Sequence, residues 1–157
     1  MSLMTLSIDC GGLSLKASVL DEAGTMHAQS VSVPTPYPLS PTLLMETFAE
    51  MAKKLPKFDR ITVGFPGMVR HGVIVYTPHY INVRGPRTKV DPELAEAWRG
   101  YDLQSNLTEF FGKPALVLND AEVHGAGVVA GTGFEVMLTL GTGLGCAIFD
   151  GGKLLPH

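Results

Sequence analysis

The chain has 157 residues, a formal net charge of −3, 45% hydrophobic and 17% charged residues. That is enough for one modest domain or part of a larger one, with a real core and no disorder-like composition. A slightly acidic balance gives no basis for wholesale electrostatic binding of nucleic acid or an anionic membrane. No apolar run approaches the roughly 20 residues needed to span a bilayer, and no basic segment followed by an apolar one marks a signal peptide. Two cysteines, Cys10 and Cys146, lack metal-ligand spacing and are expected to be reduced, buried small residues of a cytoplasmic protein.

In chain order, Thr5 to Cys10 is predicted as a buried strand and Leu15 to Leu20 as a second. The turn Asp21–Gly24 leads to a third, Met26 to Val33, so that an antiparallel meander carries Asp9 at its first bend. Ser40 followed by Pro41 predicts a helix start, with Leu44, Phe48, Met51, Ala52 and Leu55 on one face. Arg60 to Gly64 is a strand ending in the loop GFPGMV, and Gly72 to Tyr76 a short strand. From Thr77 to Gly100 the chain is irregular and partly basic, with a short helix over Glu93 to Trp98. Asp102 is a cap for a helix that turns Leu103, Leu107, Phe110 and Phe111 inward and stops at Gly112 and Pro114. Ala115 to Asn119 is a buried strand running into Asp120 and a Gly/Ala-rich helix; strand, glycine turn, strand, turn and strand follow.

Several of these segments could carry chemistry. In Asp9-Cys10-Gly11-Gly12 the glycines leave amide groups open to phosphate oxygens, and the carboxylate could hold Mg²⁺ directly or through water; a plain turn cap is the alternative. Leu140 to Gly145 repeats the design with the Thr142 hydroxyl added, or is a tight hairpin. It is neither a Walker motif nor a dinucleotide fingerprint, because a strand follows it. Asn119-Asp120 at a strand end suits an amide that orients hydroxyls and a carboxylate that takes a proton, or equally a helix N-cap. Gly67 could offer its backbone to a small ligand. The five histidines share no metal spacing, Trp98 is a packing anchor, and Arg84, Arg87 and Lys89 are a solvated loop or a greeting for an anionic substrate.

The order of these segments resembles the ROK family of sugar kinases, within the hexokinase/actin/Hsp70 ATPase-like superfamily. IDCGGLSLK resembles the family's first phosphate motif, D-x-G-G-T-x-x-K; VGFPGMV its G-x-P-G-x-V loop; LVLNDA its catalytic N-D-A segment; LTLGTGLGCAIF its second phosphate motif. The last stretch is most similar to the polyphosphate/ATP glucokinase branch. The resemblance implies an α/β fold: a ribonuclease-H-like (actin-like ATPase) lobe over 1–113, its mixed sheet flanked by helices and opened by three antiparallel strands. Residues 114–157 would be the first strand, helix and hairpin of an incomplete second lobe. It implies a hexose kinase, with glucose as the expected sugar and ATP or polyphosphate as donor. Asp120 would be the base. Asn119, Gly67 and Asn82 would face the sugar. Asp9 would position Mg²⁺, and Gly11, Gly12, Lys16, Gly141, Thr142 and Gly143 would lie near the phosphates.

Two features depart from the motif set. Leu13 stands where the motif has Thr, removing one phosphate-facing hydroxyl, and the stretch from Asn82 to Trp98 is longer than in close relatives. Family members continue beyond the second phosphate motif, so the 157 residues alone are expected to lack turnover. An apolar helix face and open strand edges should then be left for a homodimer partner or a C-terminal segment. A non-catalytic sugar-binding or degenerate kinase module is the alternative, and a phosphotransferase for another hydroxyl substrate the third.

Overall fold

The computed structural model describes residues 2–141 and 143–155. Strands β1 (Thr5–Cys10), β2 (Ser14–Leu20) and β3 (Val31–Pro34) open the chain, followed by helix α1 (Pro41–Ala52). Then come β4 (Arg60–Phe65), β5 (Met68–Arg70), β6 (Val73–Tyr76), α2 (Pro92–Trp98), β7 (Tyr101–Asp102) and α3 (Leu103–Phe111). Strand β8 (Ala115–Asn119), α4 (Asp120–Ala126), β9 (Phe134–Leu140), β10 (Leu144–Asp150) and β11 (Lys153–Leu154) complete it.

The main sheet runs β3-β2-β1-β4-β8. Its first three strands are antiparallel, and β4 and β8 join parallel to β1. This is the expected mixed sheet. The third strand is shorter than its apolar run suggested: Met26 makes only an isolated bridge to Leu20, and regular pairing starts at Val31. Strand β8, beyond Lys113, hydrogen-bonds to β4 as the last strand of this sheet.

Alternation along β1 and β2 buries Leu6, Ile8, Cys10, Leu15, Ala17 and Val19. Helix α1 lays Leu44, Phe48 and Met51 over them, each fully buried. Burial of each such side chain is worth roughly 1.5–3 kcal/mol. Its start is as expected: Ser40 accepts a hydrogen bond from Leu43 N, with Pro41 in the first turn. Asp102 caps α3 by accepting from Ser105 N, and Gly112 ends it in the left-handed conformation. Leu103 and Leu107 are buried, whereas Phe110, on the same face but in the last turn of α3, is exposed, with its ring edge-on to Phe111. Trp98 is an anchor: its ring is buried against Phe65, Tyr80 and Tyr101, and its indole N–H donates to the Leu39 carbonyl at 2.8 Å.

Helix α4 and the β9–β10–β11 sheet form a smaller cluster around Ala121, Ala147 and Phe149. One face of α4 is covered by this sheet. What stays uncovered is the sheet's other face: Phe134, Val136, Leu138, Leu140 and Leu144 are all more than half exposed, Leu140 at 87%. Cys146 is also exposed, not buried as expected, because the residues on either side of it fill the α4 side of the strand; Cys10 is buried. Among the described residues no helix is long and apolar enough to cross a membrane.

Candidate active site

The parallel strands β1, β4 and β8 end on one edge of the main sheet. Register places Asp9 beside Gly64 and Phe65 beside Asn119. Asp9 and Asn119-Asp120 therefore stand two strand spacings apart, roughly 10 Å between backbones. The gap is an open cavity of about 740 Å³. Its walls include Asp9, Gly11, Gly12, Gly67, His79, Asn119, Asp120 and His124, and on the other side the β9–β10 turn with Gly141 and Gly143. The two glycine hairpins, 130 residues apart in the chain, thus face one space. Thr142 lies outside the described residues.

Asp120 opens α4 at the floor of this cavity. Burial pushes its carboxyl pKa up, a bond from Ala121 N and the nearby His124 pull the other way, and Asp9 adds to the rise. A carboxylate with raised proton affinity beside an open space is suited to accept a proton from a hydroxyl. His124, one turn along α4, brings its Nε2 to 3.8 Å from Asp9 Oδ1. His79, from the loop after β6, stands on the opposite wall; burial lowers its pKa, with Asp120 opposing. It is therefore a neutral imidazole near pH 7.

Asn119 does two things at once. Its Oδ1 accepts from Ala121 N, capping α4, while Glu122 returns a carboxylate to Asn119 N at 2.9 Å. Its Nδ2 donates to the Gly67 carbonyl at 2.7 Å, tying the GFPGMV loop to the helix start. Gly67 adopts φ +138°, and a β-carbon there would strike the Tyr76 carbonyl, so only glycine fits. Asn82 lies outside the cavity lining. It is 3% exposed, and its amide donates to the Pro78 and His79 carbonyls at 2.6 and 3.0 Å, which holds the His79 loop in shape. Lys16 is exposed on β2, directly across from Asp9, and is likewise not part of the lining.

The first hairpin is held from behind by three hydroxyls that its local sequence does not reveal. Thr35 Oγ1 and the Tyr80 hydroxyl donate to the Gly11 carbonyl at 2.9 and 3.1 Å, and the Tyr37 hydroxyl donates to the Gly12 carbonyl at 2.8 Å. In a trans peptide the N–H points opposite to the C=O. The amides of Gly12 and Leu13 are thereby turned away from these hydroxyls. Leu13, where the motif has a hydroxyl residue, is 75% exposed at the tip.

For the implied magnesium ion, the donor set is a fit. Among the described residues no three His, Cys, Asp or Glu side chains gather as a metal cage. Asp9 offers a half-exposed carboxylate to the cavity near the two glycines of the first hairpin. Magnesium keeps most of its waters and takes one or two carboxylates plus substrate phosphates, which is what such a site supplies.

A mixed sheet with this strand order, carrying a glycine hairpin and an Asn-Asp strand end at one end of its parallel strands, defines an actin-like ATPase fold of the sugar-kinase type. The chain belongs to the ROK family, whose pattern matches residues 5–156. It is 29% identical to a polyphosphate glucokinase of Mycobacterium tuberculosis, covering 96% of this chain and 54% of that protein. Among solved structures it is similar to the inorganic polyphosphate/ATP-glucomannokinase of Arthrobacter sp. strain KM (TM-score 0.78, 29% identity, 99% of this chain and 61% of that one). It is also similar to a ROK family glucokinase of Streptomyces griseus in complex with glucose and AMPPNP (TM-score 0.75, 26% identity, 97% and 46%). The chain spans about half the length of the curated relatives it matches.

Proposed function

We propose that this chain carries the sugar- and phosphate-facing part of a hexose kinase that moves a terminal phosphoryl group from polyphosphate or ATP to a glucose hydroxyl. The observation that carries this is Asp120: a carboxylate of raised proton affinity on the floor of a cavity walled by two glycine hairpins. Asp120 takes the proton as the sugar oxygen attacks phosphorus. Asn119 and the Gly67 loop, braced on each other, orient the sugar hydroxyls. The amides of the first hairpin and of the turn at Gly141 and Gly143 face the donor phosphates, with the exposed Lys16 ammonium contributing positive charge from outside the cavity. Asp9 is the residue that would hold Mg²⁺, which neutralises phosphate charge when bound. Asn82 acts on the sugar side through the His79 loop it supports. Both cysteines are free thiols, in keeping with a cytosolic setting. The uncovered face of β9–β10 is expected to be covered in the functional assembly by a second copy of the chain or by a C-terminal segment. Light scattering that shows a monomer, with no binding of an apolar-surface dye, would overturn that part.

Calorimetry with glucose, alongside transfer from polyphosphate or ATP in the presence of Mg²⁺, tests the assignment. With the pocket completed by a partner segment that restores transfer in the parent, Asp120→Asn should bind glucose like the parent and transfer nothing. Undiminished turnover removes Asp120 as the base. The exposed Leu13 favours a second possibility, a sugar-binding module without chemistry. Glucose binding with no binding of any phosphate donor would establish it.

A further inference from the structure

Asp9, at the end of β1, and His124, on α4, face each other inside the cavity without satisfying one another. His124 Nε2 lies 3.8 Å from Asp9 Oδ1. An N–H···O hydrogen bond needs about 2.7–3.2 Å, so the two atoms are close but not hydrogen-bonded. Among the described residues neither side chain makes a hydrogen bond, and both are close to half exposed, His124 at 48% and Asp9 at 44%. The chain's other histidine–aspartate pair is different. His27 Nε2 sits 2.8 Å from Asp21 Oδ2, while Asp21 Oδ1 accepts from Ala23 N and Thr25 N at 2.9 Å. That pair closes a surface turn; the cavity pair leaves a gap.

A gap of this length suits two ligands of one metal ion. Imidazole nitrogen and carboxylate oxygen bind zinc at about 2.0–2.2 Å. Two such bonds together span more than 3.8 Å, so one ion can touch both atoms at their present separation. Cys10, next to Asp9, adds no sulfur ligand, because burial pushes its thiol pKa well up and keeps it protonated. Asp120 is one turn before His124 on α4, but no three His, Cys, Asp or Glu side chains gather among the described residues, so it stays outside the set. The site therefore has two protein ligands. Water and the phosphate oxygens of a bound donor fill its other positions.

We infer that Asp9 and His124 together hold a transition-metal dication of the zinc class, in preference to magnesium. Magnesium takes oxygen ligands and gains little from an imidazole, whereas zinc accepts nitrogen readily. A carboxylate by itself leaves the position to magnesium; His124 changes which ion occupies it. The inference rests on the reading of Asp9 as the metal-side carboxylate of a kinase site, and adds to it a second ligand and the choice of ion.

The test is NMR titration of the full chain with Zn²⁺ and with Mg²⁺ at about pH 7.5, where an ordinary imidazole is neutral, read on imidazole and backbone amide signals. Cys146→Ser is the background throughout, because Cys146 is an exposed free thiol and thiolates bind zinc on their own. His124→Ala, His124→Gln and Asp9→Asn are compared with that parent, and thermal melts check that each folds. Zn²⁺ should move the His124 imidazole signals ahead of those of the other histidines, at a concentration at least about tenfold below that at which Mg²⁺ moves the Asp9 amide. Both His124 variants should weaken Zn²⁺ binding at least about tenfold and leave Mg²⁺ binding within about twofold, a split that a merely structural histidine would not give. Asp9→Asn should weaken both ions. Parent-like Zn²⁺ affinity in the His124 variants or in Asp9→Asn overturns the site. So does an equal loss for the two ions, or a first zinc ion that moves a different histidine. Glucose titration of the same parent separates the two readings. Glucose binding without a preference for zinc overturns the metal site alone. Zinc bound at His124 with no binding of glucose or of any phosphate donor overturns the kinase reading and leaves the metal site standing.

Discussion

Tyr37→Phe deletes one hydroxyl and nothing else, and it tests whether the first hairpin is oriented from behind. The Tyr37 O–H meets the Gly12 carbonyl at 2.8 Å, and no other side chain among the described residues is seen donating to that carbonyl. A net intramolecular hydrogen bond is worth about 1 kcal/mol. In a domain of this size that is a fall in Tm of roughly 2–4 °C. If the bond fixes the peptide plane that turns the Leu13 amide toward phosphate, a similar free energy is lost from binding, about a fivefold weaker Kd for tripolyphosphate. Tyr80→Phe is the internal control. Its partner, the Gly11 carbonyl, keeps the Thr35 hydroxyl at 2.9 Å, so its effect on binding should be under about twofold. Calorimetry with tripolyphosphate and a thermal melt on the two variants suffice. Unchanged tripolyphosphate affinity in Tyr37→Phe, or a larger binding loss in Tyr80→Phe, would refute the clamp.

Three further outcomes are expected. Burial holds the folded pKa of Asp120 above its unfolded value, so its contribution to stability is full below the unfolded pKa and is lost as pH rises through the folded one. Asp120→Asn should therefore melt higher than the parent at neutral pH, with the difference vanishing in acid; melts across pH check this. Gly67→Ala forces a β-carbon onto the Tyr76 carbonyl at φ +138° and should cost about 3 kcal/mol, seen as a Tm lower by roughly 10 °C and lost glucose binding. Leu138→Lys/Leu140→Lys places charge on the uncovered sheet face and should abolish binding of an apolar-surface dye while changing stability by less than about 0.5 kcal/mol per site.

Much of the main sheet was legible in the sequence because its signals are local. Thr5 to Cys10 alternates polar and apolar residues, Ala115 to Asn119 is an apolar run ended by a polar residue, and both are strands with those bounds. Ser40-Pro41, Asp102 and Gly112 mark helix ends through their own side chains or lack of one, and each does so in the structure. The strand at Met26 failed because edge pairing depends on what the neighbour presents, and β2 offers Met26 only one bridge. Cys146 was misplaced because apolar character alone does not say which side of a strand has a partner, and Phe110 because periodicity gives the face of α3 but not how far along the helix that face is covered.

At the candidate site the same division holds. The order of the four motifs named the residues that line the cavity at strand ends and glycine turns, since strand ends and turns are written in local sequence. It could not show that Asn82 would spend its amide on the Pro78 and His79 carbonyls, or that Thr35, Tyr37 and Tyr80 would grip the Gly11 and Gly12 carbonyls across up to 69 residues of chain. Nor could it show that the basic loop after Asn82 would land on the first hairpin through Pro86. Backbone conformation follows from each residue's own covalent chemistry. Which hydroxyl meets which carbonyl, and how far burial raises the proton affinity of Asp120, exists only once distant segments have folded against one another.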